Sequence, residues 1–381
     1  MRILQLPLTG LLLLASVVPA AAITVGETTR LIRQAEKDVE DANGWAIDLH
    51  DALIQNELDV NPENVCAAIA VIDQESGFVA DPVVPGLGKL SEEALRNKLG
   101  KYPIAGRAVL AWLERTPSPD ASFMARIRAA RTERDLDLAY RALVDHLGKS
   151  ASLDLVMQLG LLNRLIEERN EIDTAGSMQV SVKFALEQER KRRWFPATLS
   201  DVYALRDQLY TRHGGMFYGI RQLLGYETGY DRKIYRFADY NAGRYASRNA
   251  AFQRAVARLS GQKLALDGDL LSYGKDGKPL AKATQTELAQ RQLAARNAFG
   301  LSDEQLRGDL LREKELNFTG TRTYIAVRDA YAAILGRRPA FAVIPDIRLS
   351  SPKLSHEFTT RRFAESVDRR YQACMARAPK Q

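Results

Sequence analysis

The sequence predicts a mainly α protein, and three observations carry the prediction. Apolar residues recur at helical spacing through most of the 381-residue chain. Helix starts and stops punctuate it, such as Asn61-Pro62, His213-Gly214-Gly215 and Arg337-Arg338-Pro339. Extended or hairpin-like stretches are confined to two short segments beyond Gly261.

The first segment stands outside the fold. Arg2 supplies a positive start, residues 8–18 are mostly apolar, and Pro19-Ala20-Ala21-Ala22 offers a small-residue cleavage site. Residues 1–22 are therefore expected to be a signal peptide cut after Ala22. No cysteine stands directly after that site, so a lipid anchor at a new N-terminal cysteine is not expected, and no later segment is apolar enough for a transmembrane helix. The mature chain is expected to be exported and soluble.

Trp45, Ala46, Leu49, Ala52, Leu53 and Asn56 keep helical spacing and lead into a helix from Pro62 to about Gln74. Asp81 to Gly88 reads as a loop by its Pro and Gly content. Helices are predicted over 91–98, 106–115, 120–131, 133–148 and 153–168. Residues 201–213 form another, with His213-Gly214-Gly215 as its stop. Segments 216–225, 232–240 and 250–259 follow as helices. Asp267-Gly268 and Asp276-Gly277 read as tight turns around a small hairpin. Helices over 285–298, 303–315 and 321–335, an extended stretch over 340–348 and a helix over 359–376 complete the chain.

The formal charge is +7, or +6 once Arg2 leaves with the leader. Such a balance suits a polyanionic partner without naming one. Cys66 and Cys374 are the only cysteines. In an oxidising compartment they can pair. Alternatively, Cys66 is a small core residue among apolar neighbours.

Ile72-Asp73-Gln74-Glu75-Ser76-Gly77-Phe78 carries the most information about function. The apolar run over 65–72 delivers Glu75 to the edge of a core. A helix C-terminus and burial both disfavour an anion and raise a carboxyl pKa. A carboxyl kept protonated near neutrality is what a general acid needs. A helix-end Glu in solvent is the alternative.

Two further motifs lie downstream, Gly176-Ser177-Met178-Gln179-Val180 and Tyr240-Asn241-Ala242-Gly243. In this order the three resemble the signature of the lysozyme-like lytic transglycosylases, the superfamily of soluble transglycosylases and goose-type lysozyme. That signature reads Glu-Ser-Gly/x-Phe, Gly-Leu-Met-Gln, then Ala-Tyr-Asn-Ala-Gly. Val60-Asn61-Pro62-Glu63 is similar to the family's entry into its catalytic helix, and the resemblance covers residues 45–80 and 170–257. It implies an uncharacterised secreted bacterial branch with a lysozyme-like domain over 23–257, a helical insertion over 81–169 and a helical extension over 258–381. Ser177 stands where the family usually has Leu, and Asp239 where it has Ala. Glu75 and Gly176 stand 101 positions apart, against a few tens in simple members.

The resemblance implies peptidoglycan cleavage between N-acetylmuramic acid and N-acetylglucosamine by lytic transglycosylation. Glu75 would act first as acid and then as base, giving a 1,6-anhydro sugar. Ser76, Gly176, Met178, Gln179, Tyr240 and Asn241 would bind substrate or shape the cleft. Localisation would be periplasmic or cell-wall associated, with glycan strands as partner and a wall protein as a further partner of the insertion. No cofactor, metal or nucleic acid is implied. Asp173 or Asp239 could activate water and make the enzyme a hydrolytic muramidase, and otherwise both are solvated loop residues. An inactive wall-binding scaffold is the remaining alternative. The four scattered histidines give no paired ligand spacing, and nucleophile-elbow, P-loop, dinucleotide and EF-hand patterns are missing. Glu189 to Phe195 is the densest basic stretch, a polyanion site or a solvated helix end.

Overall fold

The computed structural model describes residues 22–149, 174–192, 198–274, 277–297, 299–349 and 358–379. The architecture is mainly α, as predicted. The expected leader up to residue 21, the helix over 153–168 and Asp173 lie outside the described residues.

The buried apolar residues gather in three clusters. The first is built on α1 (Val25–Ala35), α2 (Ala42–Gln55) and α3 (Pro62–Glu75). It continues through α8 (Val182–Arg192), α9 (Leu199–Leu209), α10 (Arg212–Leu223) and α11 (Ile234–Ala242). Every residue from Val65 to Ile72 is buried, so α3 is apolar all round because it runs through this core. The helix α1 has no counterpart in the sequence reading. Its start carries a local signal, a capping box in which Thr24 and Glu27 bond each other's backbone N–H.

The segment between the first two motifs forms the second cluster. It comprises α4 (Leu87–Leu99), α5 (Ala105–Leu113), α6 (Phe123–Ala129) and α7 (Glu133–Lys149). Leu99, Leu113 and Phe123 are its centre, with Trp112 stacked on Phe123 at 5.7 Å between ring centroids. Its start is tied to the α6–α7 junction, where Val84 N–H donates to the Arg131 carbonyl at 2.9 Å. Side-chain pairs between α7 and α9 fix it to the first cluster: Arg141 with Asp207 at 2.9 Å and Arg206 with Asp137 at 3.4 Å.

The third cluster joins α12 (Ala246–Ser260) to α13 (Gln285–Arg296), α14 (Asp303–Leu310) and α15 (Arg322–Leu335). Phe252 lies between Phe318 and Tyr324, with centroids 5.3 and 5.6 Å away. The predicted small hairpin is present as a bridge between Tyr273 and Pro279.

Two elements depart from the sequence reading. His213-Gly214-Gly215 is not a stop but the first turn of α10, and the break falls earlier, at Tyr210-Thr211. The glycines serve packing: a side-chain carbon at Gly214 would overlap the Gln208 carbonyl. The expected C-terminal extension also divides. Its last helix, α16 (Thr360–Met375), leaves the third cluster and packs on α3 and α11 in the first. Cys66 on α3 and Cys374 on α16 form a disulfide with their Cα atoms 5.5 Å apart. Of the two readings for Cys66, the bond is the one found, and the residue is also fully buried.

Candidate active site

Glu75 is the last residue of α3. The helix starts on an Asn61 cap that accepts from the Asn64 N–H, with Pro62 in the first turn. At the other end Ser76 N–H and Gly77 N–H both donate to the Ile72 carbonyl, at 3.0 and 3.1 Å. Gly77 and Phe78 then take positive φ, 59° and 64°. A Phe with positive φ costs on the order of 1 kcal/mol or more. Packing maintains it: Phe78 is 4% exposed and meets Trp45 edge-on at 5.4 Å. The turn swings the chain away from α3 and leaves the Glu75 side chain at the core's rim.

The Glu75 carboxyl is half-buried and accepts no hydrogen bond among the described residues. Burial, and then the charge of Glu133, push its pKa up to about 8. The Tyr240 hydroxyl is held well above its ordinary range by burial and then by Glu75. Glu75 thus sits within electrostatic reach of both Tyr240 and Glu133.

The second motif is the turn of a two-residue hairpin. β1 (Thr174–Ala175) pairs antiparallel with β2 (Val180–Ser181), and Gln179 N–H donates to the Gly176 carbonyl at 3.0 Å. Gly176 has φ +78°, and any Cβ there would overlap the Leu209 carbonyl. The turn is therefore pressed onto the end of α9 by a residue that has to be glycine. Met178 is fully buried in space left by Gly219, so it forms the floor beneath the site rather than its lining. Gln179 is the residue held at the surface of the site. Its Oε1 accepts from the Thr174 hydroxyl at 2.8 Å, and its Nε2 donates to the Gly176 carbonyl at 3.3 Å and towards Glu133 Oε2 at 3.5 Å.

Tyr240 joins the third motif to the second, its hydroxyl donating to the Met178 carbonyl at 2.6 Å. Gln222 reinforces the joint, accepting from Ser181 N–H and donating to the Tyr240 carbonyl. Asn241 faces the other way and accepts from the Thr360 hydroxyl at 2.8 Å, at the start of α16. Ser76 caps α3, donating to the Ile72 carbonyl at 3.2 Å. The site therefore brings together Glu75, Gln179 and Tyr240, with Gly176, Met178 and Ser76 as supports, while Asn241 anchors α16.

Asp239 is not a solvated loop residue. It is 2% exposed and accepts from Tyr230 at 2.7 Å, Tyr226 at 3.2 Å and the backbone N–H groups of Tyr245 and Ser247. It organises the turn between α11 and α12. Burial raises its pKa to about 6 in spite of these donors. Asp73 pairs with Arg370 of α16 at 2.7 Å and Asp81 accepts from Thr132 at 3.1 Å. Among the described residues no group of three His, Cys, Asp or Glu could hold a metal ion.

The residue that the sequence reading missed is Glu133. It is 7% exposed in the first turn of α7, between Thr132 and Asp135, which cap each other. Locally that pattern says only that a helix begins. Its approach to Glu75 and Gln179 comes from how α4–α7 fold back.

Residues 38–377 match the family described as "Protein of unknown function (DUF1615)". The chain belongs to this family. A relative, "Uncharacterized protein YaiW" of Escherichia coli (strain K12), is 36% identical over 354 residues, 93% of this chain and 90% of that one. No solved structure gives a significant match. The DUF1615 span takes in all three motifs, Glu133, the α4–α7 segment and α16.

Proposed function

We propose that this protein is a peptidoglycan lytic transglycosylase with Glu75 as its acid and base. The observation that carries the reading is a carboxyl at the rim of the core whose pKa is pushed up to about 8. Such a group is protonated at neutral pH and still reachable from solvent. Glu75 gives its proton to the glycosidic oxygen as the bond to the muramic acid C1 breaks. The ionised carboxylate then takes the proton of the C6 hydroxyl, whose oxygen closes on C1. The product is a 1,6-anhydro end, and no water is consumed.

Gln179 offers polar atoms beside this bond, and Tyr240 fixes the second motif against the third. Expected export to the periplasm is supported by the Cys66–Cys374 bond, since disulfides persist in oxidising compartments. No described helix is long and apolar enough to cross a membrane.

The test is mass spectrometry of fragments from purified peptidoglycan treated with the mature chain and with Glu75→Gln. Anhydro-muropeptides from the wild type, reduced roughly 10²–10⁴-fold in the variant, are expected. Glycan binding with no fragments from either protein would instead mark a wall-binding scaffold. A second reading, a hydrolytic muramidase, is favoured by the buried Glu133 beside Glu75.

A further inference from the structure

Glycosidases that use water need a second carboxylate near the acid. The sequence offered Asp173 and Asp239 for that part, and Asp239 is committed to the α11–α12 turn. Glu133 meets the requirement from elsewhere. It is carried by α7 and its Oε2 faces Gln179 Nε2 of the second motif at 3.5 Å. It also lies close enough to Glu75 for the two charges to act on each other.

A second buried group points to the same place. The Tyr210 hydroxyl is buried and has no hydrogen-bond partner among the described residues. Burial, and then the charges of Asp137 and Glu133, hold it well above its ordinary range. A buried hydroxyl without a partner is uncommon, and a water or a sugar hydroxyl beside it would satisfy it.

We propose that Glu133, supplied by the segment between the first two motifs, is the second carboxylate of this site and opens a hydrolytic route beside transglycosylation. The proposal rests on Glu75 being the acid. Both routes begin with transfer of the Glu75 proton to the leaving oxygen. In the hydrolytic route a water oxygen bonds to C1, and the water's proton passes to the Glu133 carboxylate. Glu133 then releases that proton to solvent, and Glu75 regains one from solvent. The product carries a free reducing end and is one water heavier than the anhydro product.

The readout is the ratio of reducing to anhydro ends, measured by mass spectrometry after digestion of purified peptidoglycan in ¹⁸O-water. Glu133→Gln is nearly isosteric and keeps an oxygen for Gln179 to donate to, but removes the base. The wild type is expected to give both ends, with ¹⁸O in the reducing ones. Glu133→Gln should lose the reducing ends about tenfold or more relative to the anhydro ends. If its thermal melt shows that Glu133→Gln does not fold, Glu133→Asp supplies the same ratio, with an intermediate loss expected. A wild type that yields no ¹⁸O-labelled ends, or a ratio unchanged by either substitution, overturns the proposal and leaves Glu75 as the acid. An active Glu75→Gln variant would instead remove the reading beneath it.

Discussion

Gly176 and Glu75 show how single residues set this site. At Gly176 the positive φ and the pressing Leu209 carbonyl leave no room for a side chain. Gly176→Ala is expected to destabilise the protein by about 2–3 kcal/mol, through strain and displacement of the hairpin turn. A fall in denaturant midpoint with unchanged slope would measure it, and a wild-type midpoint would refute the packing argument. At Glu75 the folded pKa of about 8 lies above the ordinary 4.5. The fold therefore prefers the protonated carboxyl. Glu75 favours the fold most below pH 4.5, and that contribution is lost as pH rises from 4.5 to 8. Glu75→Gln should match the wild type in melting temperature at pH 4 and exceed it by roughly a few degrees at pH 9. Equal melting at both pH values would mean that Glu75 is solvated. Glu75 was legible in the sequence because burial and helix end are both local properties of the 62–75 segment. Glu133 was not, because its meaning depends on which helix terminus folds back onto the second motif.

At the scale of elements, α3 and α16 form the frame of the site. Asp73 with Arg370, Gln74 with Ser366 and the Cys66–Cys374 bond all run between these two helices. Replacing both cysteines by alanine is expected to cost about 2–5 kcal/mol, read as a lowered melting temperature under non-reducing conditions. A reducing agent should lower the wild type towards the variant and leave the variant unmoved. Coincident melts of wild type and variant without reductant would deny the bond a structural role. The pairing stood open in the sequence because two cysteines 308 positions apart carry no register. The helix boundaries around 62–75 and 123–149 were readable from caps and apolar spacing. The glycines of α10 misled because a glycine that admits a neighbouring carbonyl has the same letter as one that ends a helix.

For the molecule as a whole, the buried apolar residues gather in three clusters that the chain does not visit once each in order. Its last helix returns to the first cluster, so the segment after Gly261 is an excursion closed by α16 rather than a free appendage. Buried Arg248 ties the excursion in, donating to the Glu313 and Glu315 carbonyls while stacking on Tyr245 and Phe318. Long-range closure of this kind leaves no local pattern, whereas the mainly α class does. The DUF1615 match spans the excursion and the α4–α7 segment alike. The candidate site thus draws on two clusters: the first supplies Glu75 and the three motifs, with α16 packed on α3, and the second supplies Glu133.

The decisive measurement for Glu75 is the pH dependence of fragment release from purified peptidoglycan by the mature protein. Activity is expected to hold through neutrality and to fall above a limb near pH 8, as Glu75 loses its proton. The Glu75→Gln variant should show no such limb and only residual release. Fragment release by Glu75→Gln at the wild-type rate, with the same basic limb, would contradict the assignment of Glu75 as the acid.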